Sequence, residues 1–318
     1  MRQSLADQSP GGGSVTQIDR SLGVTETLAR LFDGAGEVVL AMVTQLGDVW
    51  LLFVLAGSVY VAYTGVLAES RRQQGAFVLA LPLVYLALVT AMKGAFELPR
   101  PPRAGVAPQL PWLPSVLVPL FENTATATGY GFPSGHAIGT TLVWGGVALV
   151  ADRWSRWVRA AGVVLVVSLV AFSRLALGVH YLVDVVAGAA IGALVLGAVY
   201  LLSERATEPG RVFVVAVVLA VLGVATQQSV DSVLVLGGTL GALGGWAFLV
   251  DGEVSLSVTP RALATSAVLF VGTVFTFGVV YLREPPLPVL FGASVVAAAV
   301  VVGVPDLGDR VARRFDPS

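Results

Sequence analysis

The sequence predicts an all-α protein, a polytopic bundle of membrane-spanning helices, and three observations lead there. Hydrophobic residues fill 56% of the 318 positions and charged residues only 12%, about half the charged share of a soluble domain. Several apolar runs approach or pass the roughly 20 residues that a helix needs to cross about 30 Å of hydrocarbon. Arginines gather in alternate connections between those runs, as in a chain that threads back and forth with its cations on one side. The net charge of −1 gives no footing for a nucleic-acid partner, and no basic patch with interleaved aromatics is present. Cysteine is absent, which removes disulfides, thiol nucleophiles and thiolate metal sites.

Taken from the N-terminus, residues 1–37 read as a tail with an interfacial helix. They lack the basic start and apolar core of a signal peptide. Gly11 to Ser14 has the composition of a flexible stretch, while Ile18, Leu22, Leu28, Leu31 and Phe32 recur among charges as in a short amphipathic helix. Spans are expected near 38–63, 76–92, 137–151, 158–173 and 181–202, within a membrane domain over 38–205. Four more, near 211–228, 232–250, 262–282 and 287–304, form an accessory membrane domain over 206–318. The glycines between Gly237 and Gly245 suit close helix packing. The longest nonhelical stretch runs from Pro99 to Phe132, rich in Pro, Gly and Thr, and holds Trp112, Phe121 and Tyr130. It reads either as a loose loop with interfacial aromatics or as a lid or lipid portal beside a site.

Counting nine spans puts Arg71 and Arg72, the group Arg153, Arg156 and Arg159, then Arg205 with Arg211, Arg261, and finally Arg310, Arg313 and Arg314 on one side. The positive-inside rule makes that side cytoplasmic. The N-terminal tail, residues 93–133, the turn from Arg174 to His180, the link from Gln227 to Asp231 and the link from Arg283 to Pro288 are then extracytoplasmic.

Three clusters share that outer side: Lys93 through Arg100-Pro101, Pro133-Ser134-Gly135-His136, and Ser173-Arg174 through His180 to Asp184. Taken singly, each has a structural reading. Cations snorkel at interfaces, Pro followed by Ser is an ordinary helix start, and a histidine can be a satisfied polar residue. Together they hold what a phosphoryl group needs. Lys93, Arg100 and Arg174 balance phosphate charge. A helix beginning at Ser134-Gly135-His136 aims free amides at an anion. His180 and Asp184, four apart on one helical face, make a nucleophile and its orienting carboxylate. A carboxylate one turn into an apolar span is costly unless it is paired. The chain's only two histidines both stand at outer helix starts beside cations.

In residues, order and separation these clusters resemble the three signature motifs of the type-2 phosphatidic acid phosphatase (PAP2) superfamily, over roughly residues 38–203. The resemblance implies a core of about five to six helices like that family's, followed by about four additional C-terminal helices. It implies a metal-independent phosphatase with no cofactor. His180 would attack phosphorus and form a phosphohistidine, Asp184 would hold its ring, and His136 would protonate the leaving oxygen and later activate water. Lys93, Arg100, Ser134, Gly135 and Arg174 would bind the phosphate oxygens.

The membrane frame favours a lipid phosphate substrate, either a polyprenyl or dolichyl diphosphate or a phosphatidic-acid-like lipid, whose tail stays in the bilayer while its headgroup meets the external pocket. A phosphotransferase using the same intermediate and a lipid transporter or flippase are the alternatives. A transport path needs polar groups near the midplane, and the charges here gather at one face. The sequence leaves the oligomeric state open.

Overall fold

The computed structural model of the chain describes residues 20, 22–32, 35–66, 71–250 and 259–314, whose secondary structure is helical with no strand among them. The helices are α1 (Val24–Leu31), α2 (Ala35–Thr44), α3 (Val49–Val61), α4 (Arg72–Phe96), α5 (Val118–Ala125), α6 (Gly135–Val150), α7 (Arg156–Ala176), α8 (Leu182–Leu202), α9 (Pro209–Thr226), α10 (Val230–Phe248), α11 (Pro260–Leu282) and α12 (Leu287–Arg314). Gly11 to Ser14 and Ile18 lie outside the described residues, and the expected amphipathic helix is present from Val24.

Starts are written in capping residues. Ser134, Ser155, Ser229 and Thr259 each accept, through the side-chain oxygen, the backbone N–H three residues on. Pro209 and Pro260 occupy first-turn positions, where no N–H is needed.

Seven of these helices are long and apolar enough to cross a membrane, and α2 with α3 makes an eighth as a broken pair; α6, at 16 residues, is shorter. The chain is thus a multi-pass membrane protein. Each of the nine expected spans has its helix, with two differences. The first span, expected as continuous over 38–63, bends by 44° between Gly47 and Val49. Asp48 leaves the helical region there, with φ −73° and ψ 144°. The last span does not stop at 304: α12 continues through Pro305 to Arg314, so Arg310, Arg313 and Arg314 stand on a helix rather than in a tail. What carries it on is charge neutralisation. Buried Asp306 pairs with Arg72 at the start of α4, and Asp309 with Arg313 at 2.8 Å.

Helix α4 is the axis of the bundle. It is apolar on all sides, and 78% of its most apolar window is buried, as expected of a helix enclosed by others. One side meets α3 and α6, and the other meets α9 and α10. Helices α9 and α10 of the expected C-terminal domain therefore pack directly on the segment that carries the motifs. Near its Phe96 end Gly94 leaves room for α9: a Cβ there would lie 2.7 Å from Gln227 Cβ and 2.9 Å from the Thr226 backbone carbon. Thr226 Oγ1 also donates to the Ala91 carbonyl at 3.1 Å.

Small residues let the other pairs close up, as they must where lipid offers no hydrophobic drive. Gly188 and Gly192 of α8 press on α6, where added Cβ atoms would meet Ser134 O at 2.7 Å and Thr141 Cβ at 2.9 Å. Gly237, Gly241 and Gly245 of α10 do the same against the α12 backbone, whereas Gly238 and Gly244 face open space. Helix α11 packs chiefly on α12, and none of its most apolar window is buried.

The two ends differ. Arg71 bonds Asp152 and the Val150 carbonyl, Arg72 pairs with Asp306, and Arg310 bonds the Leu249 carbonyl. These contacts gather the arginine-bearing connections at one end. The three motif clusters lie at the other.

Candidate active site

Backbone contacts set the frame. Ser134 N donates to the Asp184 carbonyl at 3.0 Å, which locks the start of α6 to that of α8. Arg174 lies in the last turn of α7, and its carbonyl accepts from Val179 N at 3.2 Å, turning the chain sharply toward His180. The loop after α4 folds back on itself, with Gly131 N bonded to the Leu98 carbonyl at 2.7 Å. A Cβ on Gly131 would lie 3.0 Å from the Pro99 oxygen, so the two limbs close tightly at this glycine. This brings Arg100 over the site.

The 99–132 segment contains α5 and is not simply a loose loop. Phe121 is buried with Ala41 and Ala125, while Trp112 stays more than half exposed. Thr124 of α5 accepts from Gln45 Nε2 at 3.0 Å and offers its carbonyl to Arg174 at 3.4 Å. The segment forms one wall of the site.

His180 sits at the centre, 1% exposed. Its Nε2 is 3.0 Å from Arg100 Nη1. A guanidinium can only donate, so Nε2 presents its lone pair and the ring proton lies on Nδ1. That nitrogen faces Asp184 Oδ2 at 3.5 Å, beyond good hydrogen-bond length, and has no closer partner. Burial and then the positive charges of Arg100, Arg174 and Lys93 hold the imidazole well below the usual histidine range. It is therefore neutral at ordinary pH.

Asp184 is fully buried and otherwise engaged. Oδ1 takes Arg20 Nη1 at 2.8 Å and Oδ2 takes the Tyr181 N–H at 3.0 Å. Arg20 also donates to the Pro99 carbonyl and lies over the Tyr181 ring at 4.8 Å, and its own carbonyl accepts from Val183 N at 3.2 Å.

Arg174 is 3% exposed; Nη1 donates to Thr44 Oγ1 at 3.1 Å and to Thr124, and Nε has no partner. Lys93 faces Arg100, Arg174 and Asp184 electrostatically. Among the described residues neither Arg174 nor Lys93 is within ion-pair distance of a carboxylate. Ser134 is fully buried as the cap of α6. Gly135 is not required by packing, since a Cβ would meet Val89 and Tyr85 only at 3.4 and 3.5 Å. His136, one residue on, places Nε2 2.8 Å from Asp48 Oδ1. All eight residues singled out in the sequence thus lie at one end of the bundle, seven of them tied by these contacts or by mutual electrostatics.

Two charged neighbours were not singled out. Asp48 could have been found by the argument applied to Asp184, because it is a carboxylate inside an apolar run. Arg20 carries no such signal; it lies in the irregular N-terminal stretch and reaches Asp184 only through the fold. Replacing it leaves a fully buried carboxylate without its guanidinium. We expect Arg20→Ala to lower stability by about 3 kcal/mol and turnover by about tenfold. Thermal unfolding in detergent checks this, and an unchanged Tm would contradict it.

Among the described residues no three His, Asp or Glu side chains converge as metal ligands. Residues 74–208 match the family model described as the PAP2 superfamily, a range that ends just before α9. No curated protein and no solved structure matches the chain.

Proposed function

This chain belongs to the PAP2 superfamily, and on that premise we propose that it is a membrane phosphatase that removes phosphate from a lipid phosphate or diphosphate through a phosphohistidine on His180. One observation carries the reading. His180 Nε2 presents its lone pair to Arg100 at 3.0 Å, beside buried Arg174 and half-buried Lys93, neither of which has a carboxylate within ion-pair distance among the described residues. Cations so placed favour an anion, and they favour most the state in which charge spreads over its oxygens.

The steps balance as follows. The Nε2 lone pair forms a bond to phosphorus as the bond to the leaving oxygen breaks, its electron pair going to that oxygen. His136 delivers the proton the oxygen needs. The phosphorylated ring keeps its Nδ1 proton beside Asp184. Water then attacks phosphorus, His136 takes its proton, and the N–P electron pair returns to Nε2. Arg100, Arg174, Lys93 and the amides beginning α6 at Ser134-Gly135 hold the oxygens throughout.

The chain's own cations supply the charge that a divalent metal would otherwise bring. We expect the purified protein in detergent with EDTA to release phosphate from a panel of phosphatidic acid and polyprenyl diphosphate as fast as without chelator. Loss of activity restored by a divalent cation would contradict this reading.

The gathering of arginines at the opposite end supports an extracytoplasmic site. A reporter inserted at 103–131 is expected to read extracytoplasmic, and a cytoplasmic signal would invert the orientation.

A further inference from the structure

The geometry points to Asp48 as the residue that positions His136 and favours its protonated form for leaving-group protonation, an inference that rests on the phosphatase reading above. The α2–α3 pair breaks just where the carboxylate meets the ring. At this break Asp48 takes the extended conformation of a helix cap, yet its side chain caps nothing. Its Oδ1 lies instead 2.8 Å from His136 Nε2.

The surroundings hold that arrangement. Gly47 lets the break press against α6 and α7: an added Cβ would lie 2.6 Å from Thr140 Oγ1, 2.9 Å from Val170 Cγ1 and 3.3 Å from His136 Cδ2. Trp144 Nε1 donates to the Leu46 carbonyl at 3.0 Å. The bend is thus clamped from α6 by Thr140 and Trp144, in the two turns that follow His136.

A carboxylate only accepts, so Nε2 carries the proton directed at Asp48 and Nδ1 is the nitrogen free to exchange protons with substrate. The titratable groups facing His136 are Asp48 from the α2–α3 break, Arg174 from α7, Lys93 from α4 and the neutral His180 from the α7–α8 turn. Asp48 is the one negative charge among them. Without it, a second proton on the ring would be opposed by both cations.

A general acid matters in proportion to how poor the leaving group is. The test compares kcat/KM, which reports the steps through leaving-group departure, for dioctanoyl phosphatidic acid and for p-nitrophenyl phosphate. Asp48→Asn is expected to lower the first by about 10²-fold and the second by no more than about threefold, since nitrophenolate departs without a proton. Retained turnover of the aryl phosphate also shows that the variant is folded. An equal fall on both probes would assign Asp48 a structural role only, and no change on either would remove it from the reaction; both overturn the inference. His180→Ala separates its failure from that of the parent reading: if that variant keeps wild-type activity, or wild type cleaves neither probe, the phosphatase mechanism falls and the role of Asp48 with it.

Discussion

His180→Ala is expected to lower phosphate release by at least about 10⁴-fold, with binding of phosphate largely retained. The imidazole offers its Nε2 lone pair among the proposed phosphate-binding cations, and Arg100, Arg174 and Lys93 can only donate. Removing it takes away the covalent path while leaving the anion pocket. Because the ring is buried, alanine also opens a cavity, so His180→Asn serves as the shape-conserving control. The neutral state of the ring makes the attack available at ordinary pH, since burial and three cations all disfavour its protonation. Rapid alkaline quench of wild type with a ³²P-labelled substrate should trap label on the protein that is lost in acid, as a phosphoramidate is. Neither variant should trap any. Acid-labile label on His180→Asn would place the nucleophile elsewhere.

Arg174→Met is expected to move stability and activity in opposite directions. The guanidinium is 3% exposed, is held by one hydroxyl and one weak carbonyl contact, and has an Nε without a partner. A buried charge without a counter-ion is a debit in the folded state, and an apolar residue of similar volume in such a place is commonly neutral or stabilising by about 1–4 kcal/mol. At the same time a cation aimed at transferring phosphoryl oxygens contributes about 10²–10³-fold to rate. The variant should therefore show an equal or higher Tm and a kcat/KM lower by about 10³-fold. Saturating phosphate should raise the Tm of wild type, because it binds only the folded state, and should leave that of Arg174→Met nearly unmoved. A variant both destabilised and still responsive to phosphate would show that Arg174 serves the fold, not the anion.

Much of the architecture was legible because the bilayer imposes one rule on every span, and apolar length reports it directly. The motif residues were legible for a different reason. Lys93, Ser134 and Arg174 all stand within a turn or so of a helix end, so recognising the helices placed the chemistry as well. What escaped was whatever depends on interruption or on distance. The break at Asp48 is marked only by the short stretch Thr44-Gln45-Leu46-Gly47-Asp48 between two longer apolar runs, and so 38–63 reads as one helix. The continuation of α12 past Pro305 depends on Arg72, 234 positions away, which no local pattern reports. Arg20 reaches Asp184 across 164 positions. Helix α5 is two turns inside a Pro- and Gly-rich segment, too short to stand out.

The two-sided enclosure of α4 also sets an order of events. Synthesis delivers helices from the N-terminus, so α4 enters the membrane with α3 beside it, long before α9. Its bare face is apolar, and lipid tails can cover it in the interval without the penalty that water would exact. The wait is thus tolerable for the helix. It is different for the turn at its Phe96 end, where Gly94 leaves a notch that Thr226 and Gln227 fill. The stretch bearing Lys93 is among the first of the motifs to be made and the last to be braced.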